Sequence, residues 1–204
     1  MKTLDVLVDD MIFSNMLKSP QIIDAFRAVD RKYFVPVSFA EDTYIDAPLP
    51  IGNGQTISQP STVAFMLEKL APQKGDKVLD IGSGSGWTTA LLCHIVGETG
   101  SVIGVERVDA LVGKGRENLS QFNFGSHCHI ESAGEKLGLP NEQFDRILVS
   151  AAADEIPEEL FLQLKIGGIL VIPVENSIYK FKKVSEEEIK TEEFYGFIFV
   201  PLIY

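Results

Sequence analysis

Val78-Leu79-Asp80-Ile81-Gly82-Ser83-Gly84-Ser85-Gly86-Trp87 is the stretch on which the fold turns. An apolar run of strand length ends in glycines at alternate positions, and the apolar pattern beyond predicts a helix over Thr88–Val96. Glycines let backbone approach a ligand closely, and a helix N-terminus offers N–H groups without partners inside the helix. In an open α/β sheet a nucleotide-like ligand binds at such a turn. The spacing separates the ligand classes. A phosphate-binding loop needs Lys and then Ser or Thr after its last glycine, whereas Trp87-Thr88 follows here. A dinucleotide fingerprint reads G-x-G-x-x-G, but this turn reads G-x-G-x-G, with Thr88 or Thr89 near the place of the third glycine. Asp80 would stand poorly beside a pyrophosphate and well beside the ammonium group of a methionine moiety.

Working outward, the next apolar run is Val102-Ile103-Gly104-Val105, closed by Glu106. A carboxylate at that strand end can accept two hydrogen bonds from ribose hydroxyls. Further strands are predicted over Arg146–Val149 and Ile169–Val174, with helices over Ala110–Phe122 and Pro157–Leu164. Fully apolar strands separated by helices predict an α/β fold: a doubly wound, mostly parallel sheet with helices on both faces. The tail predicts an antiparallel C-terminal edge, from strands Tyr179–Val184 and Phe194–Leu202 joined by the acidic turn Ser185–Glu188. Upstream, Ser19-Pro20 reads as a helix start, with Ile22, Ile23, Phe26 and Val29 at helical spacing. Tyr33–Gly54 holds three prolines and two glycines, which predicts a structured loop leading into Ser58-Gln59-Pro60. The helix after it carries Val63, Met66, Leu67 and Leu70 on one face, and local sequence alone makes Ser58 its N-cap.

The 204 residues suit a single domain, with residues 1–60 as N-terminal helices and a covering segment, and residues 61–204 as the core. The net charge of −11 repels phosphate backbones, so nucleic acid is not the expected partner. No window is long and apolar enough for a membrane span, and acids interrupt the first residues, so a cytoplasmic monomer is expected. Cys93 and Cys128 sit in no paired motif and read as reduced, buried thiols. His127-Cys128-His129 lacks further ligands and reads as a strand rather than a metal site. Lys180-Phe181-Lys182-Lys183 reads as a solvated edge strand.

The glycine turn, Asp80 and Glu106 together resemble the Rossmann-like methyltransferases. Upstream the resemblance narrows. Tyr44-Ile45-Asp46-Ala47-Pro48-Leu49-Pro50-Ile51-Gly52-Asn53-Gly54-Gln55-Thr56-Ile57-Ser58-Gln59-Pro60 resembles the signature segment of the protein-L-isoaspartate O-methyltransferase family. Arg31-Lys32-Tyr33-Phe34-Val35-Pro36, Phe144-Asp145-Arg146-Ile147-Leu148-Val149-Ser150-Ala151-Ala152-Ala153 and the closing Phe199-Val200-Pro201-Leu202 fit the same family. The resemblance implies methyl transfer from S-adenosylmethionine to the α-carboxylate of L-isoaspartyl residues in damaged proteins. It implies Ser58 as the catalytic residue. For the cofactor it implies Gln55, Thr56, Ile57, Asp80, Gly82, Ser83, Gly84, Ser85, Gly86, Glu106, Arg107, Gly134 and Glu135, with S-adenosylhomocysteine as product and no metal.

Two departures from the family pattern stand out. Where the family has Gly-Asp-Gly near the adenine, this chain reads Ala133-Gly134-Glu135, so the acid is either lost or moved one place to Glu135. Where the family has glycine and a glycine-rich loop after Ile-Pro-Val, this chain runs from Pro173-Val174 into Glu175-Asn176-Ser177.

Overall fold

The computed structural model describes residues 2–202. Two helices open the chain: α1 (Leu4–Phe13) and α2 (Pro20–Ala28). Ser19 occupies the N-cap of α2 as expected, but its hydroxyl and amide bind Glu68 and its side chain makes no cap hydrogen bond to the helix. Short 3-10 turns lead to a hairpin of β1 (Leu49–Gly52) and β2 (Gln55–Ile57), inside and just after the segment expected to be a loop. Asn53 and Gly54, both at positive φ, make its two-residue turn. Helix α3 (Pro60–Leu70) follows, with Val63, Met66, Leu67 and Leu70 all buried.

The core alternates β3 (Lys77–Ile81), α4 (Trp87–Val96), β4 (Ser101–Glu106), α5 (Asp109–Leu119), β5 (Cys128–Ser132), β6 (Phe144–Val149), α6 (Glu159–Leu162) and β7 (Leu164–Val174). Then come β8 (Ser177–Lys183) and β9 (Ile189–Tyr195). The sheet runs β5-β4-β3-β6-β7-β8-β9, parallel from β5 to β7 and antiparallel through β8 and β9. Strand order reverses beside β3, which opens a crevice at the carboxyl ends of β3, β4 and β6. Alternate strand residues feed two cores. Val78, Val102, Leu148 and Val171 meet α2, α3 and α4, whereas Leu79, Val105, Ile147 and Leu170 meet Leu137, Phe144 and Leu160. Each such aliphatic side chain contributes about 1.5–3 kcal/mol on burial, which makes the sheet a stiff platform for the loops at its edge.

Gly104 sets how closely α4 lies on the sheet. A Cβ there would come within 2.8 Å of the Thr89 hydroxyl and 2.9 Å of Ile130. The absent side chain leaves room for Thr89 to reach Asp80.

Four expectations are corrected. Pro157–Leu164 holds only the short α6, because Gln163 turns inward to bind the Leu137 carbonyl and the Leu139 amide. The last strand is Ile189–Tyr195, not Phe194–Leu202. Beyond Gly196 the chain crosses back to pair with Ala152 on both sides of Pro201. Lys180–Lys183 lies inside the sheet rather than at its edge: β9 covers β8, Phe181 is buried, and the buried Lys183 ammonium binds the Phe161 carbonyl. Finally, Cys93 and Cys128 are joined by a disulfide, with Cα atoms 6.0 Å apart. Packing of α4 against β5 brings together residues 35 positions apart, and sequence spacing carries no sign of that.

Candidate active site

A cavity of about 260 Å³ opens at the carboxyl edge of the sheet. Its floor comes from strand ends and the loops beyond them: Ile81, Gly82 and Gly84 after β3, Val105 to Val108 after β4, Ala133, Gly134 and Lys136 to Gly138 after β5, and Ser150 and Ala151 after β6. Ile51, Gln55 and Thr56 of the hairpin close one side, and Val200 to Leu202 close another. Thus two segments distant in sequence roof a cleft that the sheet topology creates.

Glu106 is the best-defined polar group in it. One carboxylate oxygen accepts the Gly84 N–H at 2.8 Å, and the other accepts the Val108 N–H at 2.9 Å. Each oxygen keeps acceptor capacity, and the residue lines the cavity although only 7% exposed. A ligand diol would meet a pre-aimed carboxylate. The same contacts tie the glycine turn after β3 to the loop entering α5.

Asp80 stands elsewhere than expected. It is fully buried and lines no part of the cavity. Its carboxylate accepts the Thr88 and Thr89 hydroxyls at 2.7 Å and the Ser150 hydroxyl at 3.4 Å. These contacts make it a brace that joins the first turn of α4 to the end of β6. Burial pushes its carboxyl up to about 6, despite the three hydroxyls that favour the ionised form. The folded-state value therefore lies above the unfolded one, so the folded state takes up a proton as pH falls from about 7 toward 4, and stability from this group is lost as pH rises. Relative to an Asp80→Asn variant, the wild type is expected to gain stability on acidification, by up to about 1.4 kcal/mol per pH unit. Urea unfolding of both proteins across that range checks this; a difference that is flat or of opposite slope would refute it.

A second, smaller space of about 30 Å³ adjoins the first, and Thr56, Gly82, Gly84 and Ser150 line both. Hydroxyl residues dominate it: Thr56, Ser58, Ser83, Ser85, Thr88 and Ser150. The Ser83 hydroxyl is buried without a partner among the described residues. Ser58 is half-buried here, and it does not cap α3: the N-cap is Gln59, and no side chain caps that helix.

The structure thus brings Gln55, Thr56, Gly82, Gly84, Glu106, Arg107 and Gly134 to the cavity, and Ile57, Ser58, Ser83 and Ser85 to the hydroxyl-lined space. Three expected residues fall outside both. Asp80 lies beneath. Gly86, at φ +87, starts α4, and a Cβ on it would stand 3.0 Å from Ile130 and 3.1 Å from the Gly115 carbonyl, so it serves helix packing. Glu135 is exposed and lines neither space, whereas Ala133 and Gly134 line the cavity through small side chains and backbone. The turn Glu175-Asn176 also lies outside, but the Asn176 carbonyl accepts the Gly196 and Phe197 N–H groups, which anchors the segment leading to Val200–Leu202.

Sequence reasoning missed several residues. Asn118, buried on α5, donates to the Ser85 carbonyl at 2.9 Å and steadies the glycine turn. Arg31 is wholly buried beside Ser58. Its place in the Arg31–Pro36 match was the available signal.

The family model for protein-L-isoaspartate(D-aspartate) O-methyltransferase matches residues 2–204. The chain belongs to this family. A protein-L-isoaspartate O-methyltransferase of Ignicoccus hospitalis is 39% identical over 97% of this chain and 95% of its own length. The Methanopyrus kandleri enzyme of the same name is also 39% identical, over 97% of this chain and 89% of its own. Among solved structures, a Plasmodium falciparum protein in complex with S-adenosyl-L-homocysteine superposes with a TM-score of 0.90 at 26% identity, covering 100% of this chain and 99% of that one. Family membership therefore extends over the segments that roof the cleft as well as over the sheet beneath.

Proposed function

We propose that this chain transfers a methyl group from S-adenosylmethionine to the α-carboxylate of L-isoaspartyl residues in damaged proteins. One observation carries the reading: the Gln55–Ser58 segment, which bears the family signature, walls both the cleft and the hydroxyl-lined space beside it. A ligand's reactive end in the cleft would therefore meet hydroxyls.

The cleft fits the cofactor. Glu106 would accept the ribose hydroxyls. Val105, Val108, Leu137 and Leu202 offer apolar surface for a purine, and the open backbone at Gly82 and Gly84 leads to the start of α4 for a methionine carboxylate. S-adenosylmethionine supplies a methyl group on a sulfonium, which is already a good leaving group. The acceptor carboxylate is ionised at neutral pH, with a reference pKa of about 4, and needs no general base. What remains for the protein is in-line placement and exclusion of water. Ser58 would supply placement by donating a hydrogen bond to the acceptor carboxylate or to the cofactor. Asp80 would act at one remove, by fixing Thr88, Thr89 and Ser150.

Transfer of tritiated methyl groups to an isoaspartyl peptide, run beside the aspartyl peptide of the same sequence, tests the proposal. Label in the isoaspartyl peptide alone is expected. Equal labelling of the two, or none in either, would contradict it.

A further inference from the structure

Arg31 is an arginine with no exposed surface, placed where a lone buried charge would cost several kcal/mol. Its two terminal nitrogens offset that cost on backbone carbonyls, while Nε is buried without a partner among the described residues. One terminal nitrogen donates to Thr43 at 2.8 Å and Ile45 at 3.3 Å, and the other donates to Ala47 and Ser58, both at 3.0 Å. The guanidinium carbon also lies 5.3 Å from the centre of the Trp87 ring, the first residue of α4 after the glycine turn. Asp46, an opposing charge that acts on Arg31 without a direct bond, accepts the Ser61 N–H at 2.8 Å and the Gln59 amide at 3.2 Å. Thus one planar fork and one carboxylate pin residues 58–61 to the strap formed by residues 43–47. Every acceptor is main chain, so no side-chain ion pair holds this arrangement among the described residues.

We propose that Arg31 is a positioning residue for methyl transfer: by holding the Ser58 carbonyl and the 43–47 strap on one rigid fork above Trp87, it sets where the Ser58 hydroxyl stands against the cofactor cleft. This role rests on the methyltransferase reading above. The chemistry requires arginine. A guanidinium presents donors in fixed directions within one plane, from two separate terminal nitrogens, whereas a lysine ammonium donates from a single point and cannot span the strap and Ser58 together. Arg31 touches neither cavity, so it acts only through Ser58 and the strap.

A kinetic cycle tests the role. Single-turnover transfer to the isoaspartyl peptide is measured for wild type, Arg31→Lys, Ser58→Ala and the double variant, with the dissociation constant for S-adenosylhomocysteine measured on each. Arg31→Lys is expected to slow transfer roughly ten- to a hundredfold, the scale set by a misplacement near 1 Å, while cofactor affinity changes less than about threefold. Because Arg31 works through Ser58, the double variant should be no slower than Ser58→Ala alone. Losses that multiply in the double variant, or a folded Arg31→Lys protein with the wild-type rate, would overturn the proposal. If Arg31→Lys does not fold, Arg31→Gln replaces it, since it keeps two donors and buries no charge. If that variant also fails to fold, Arg31 is structural and the proposal falls. A wild-type chain that methylates no isoaspartyl peptide would overturn the functional reading and this role together; multiplied losses in an active chain overturn the role of Arg31 alone.

Discussion

Replacing Ser58 with alanine is expected to slow single-turnover methyl transfer roughly ten- to a thousandfold, because one lost orienting hydrogen bond at the transition state is worth a few kcal/mol. Cofactor affinity should change far less, since the main contact surfaces of the cleft lie at Glu106, the glycine turn and the apolar walls. Stability should barely change. A serine N-cap would cost about 1 kcal/mol on removal, but α3 is capped at Gln59 and its cap makes no side-chain hydrogen bond. The Ser58 carbonyl also keeps its bond to Arg31 in the variant. Melting temperature and transfer rate measured on the same sample separate the possibilities. A Ser58→Ala protein that turns over at the wild-type rate would end the catalytic assignment, whatever its stability.

Ser58 also illustrates what sequence can and cannot settle. The dipeptide before Pro60 looked like a helix start, and it is one, but the boundary fell one residue later and freed the serine for the site. The buried parallel strands were legible because strands covered on both faces are continuous apolar runs. Strand β9 was not, because an edge strand of exposed Lys, Thr and Glu has no hydrophobic period to read. The apolar run Phe194–Leu202 suggested a strand, yet Gly196 turns that segment away, so its last apolar residues roof the cleft. At the cavity, the structure places Gly82, Gly84 and Glu106 of the expected set, all positioned by local order at a strand end. The contacts of Asp80 were not legible, because the three hydroxyls on that carboxylate come from two other segments. Arg31 and the Cys93–Cys128 disulfide depend on long-range packing, and spacing along the chain does not encode that.

Glu106→Ala is expected to weaken binding of S-adenosylhomocysteine by about 1–3 kcal/mol, roughly five- to 150-fold. Two physical effects contribute, and they can be told apart. The variant loses charge-assisted hydrogen bonds to the ribose hydroxyls, and it also releases the Gly84 and Val108 N–H groups that the carboxylate now holds. The first effect needs the ligand's diol, whereas the second does not. An analogue lacking both ribose hydroxyls should therefore bind the wild type more weakly than S-adenosylhomocysteine does, and should lose little more in the variant. Glu106→Gln should fall between, because its amide oxygen can still accept one of the two backbone N–H groups. Glu135→Ala serves as the control, since that side chain is exposed and outside the cleft, and its dissociation constant should match the wild type. Calorimetry on the four proteins with both ligands decides the matter. An unchanged affinity in Glu106→Ala would make Glu106 a strand-end acid with no ligand. An equal loss for the two ligands would assign it to holding the glycine turn rather than the ribose.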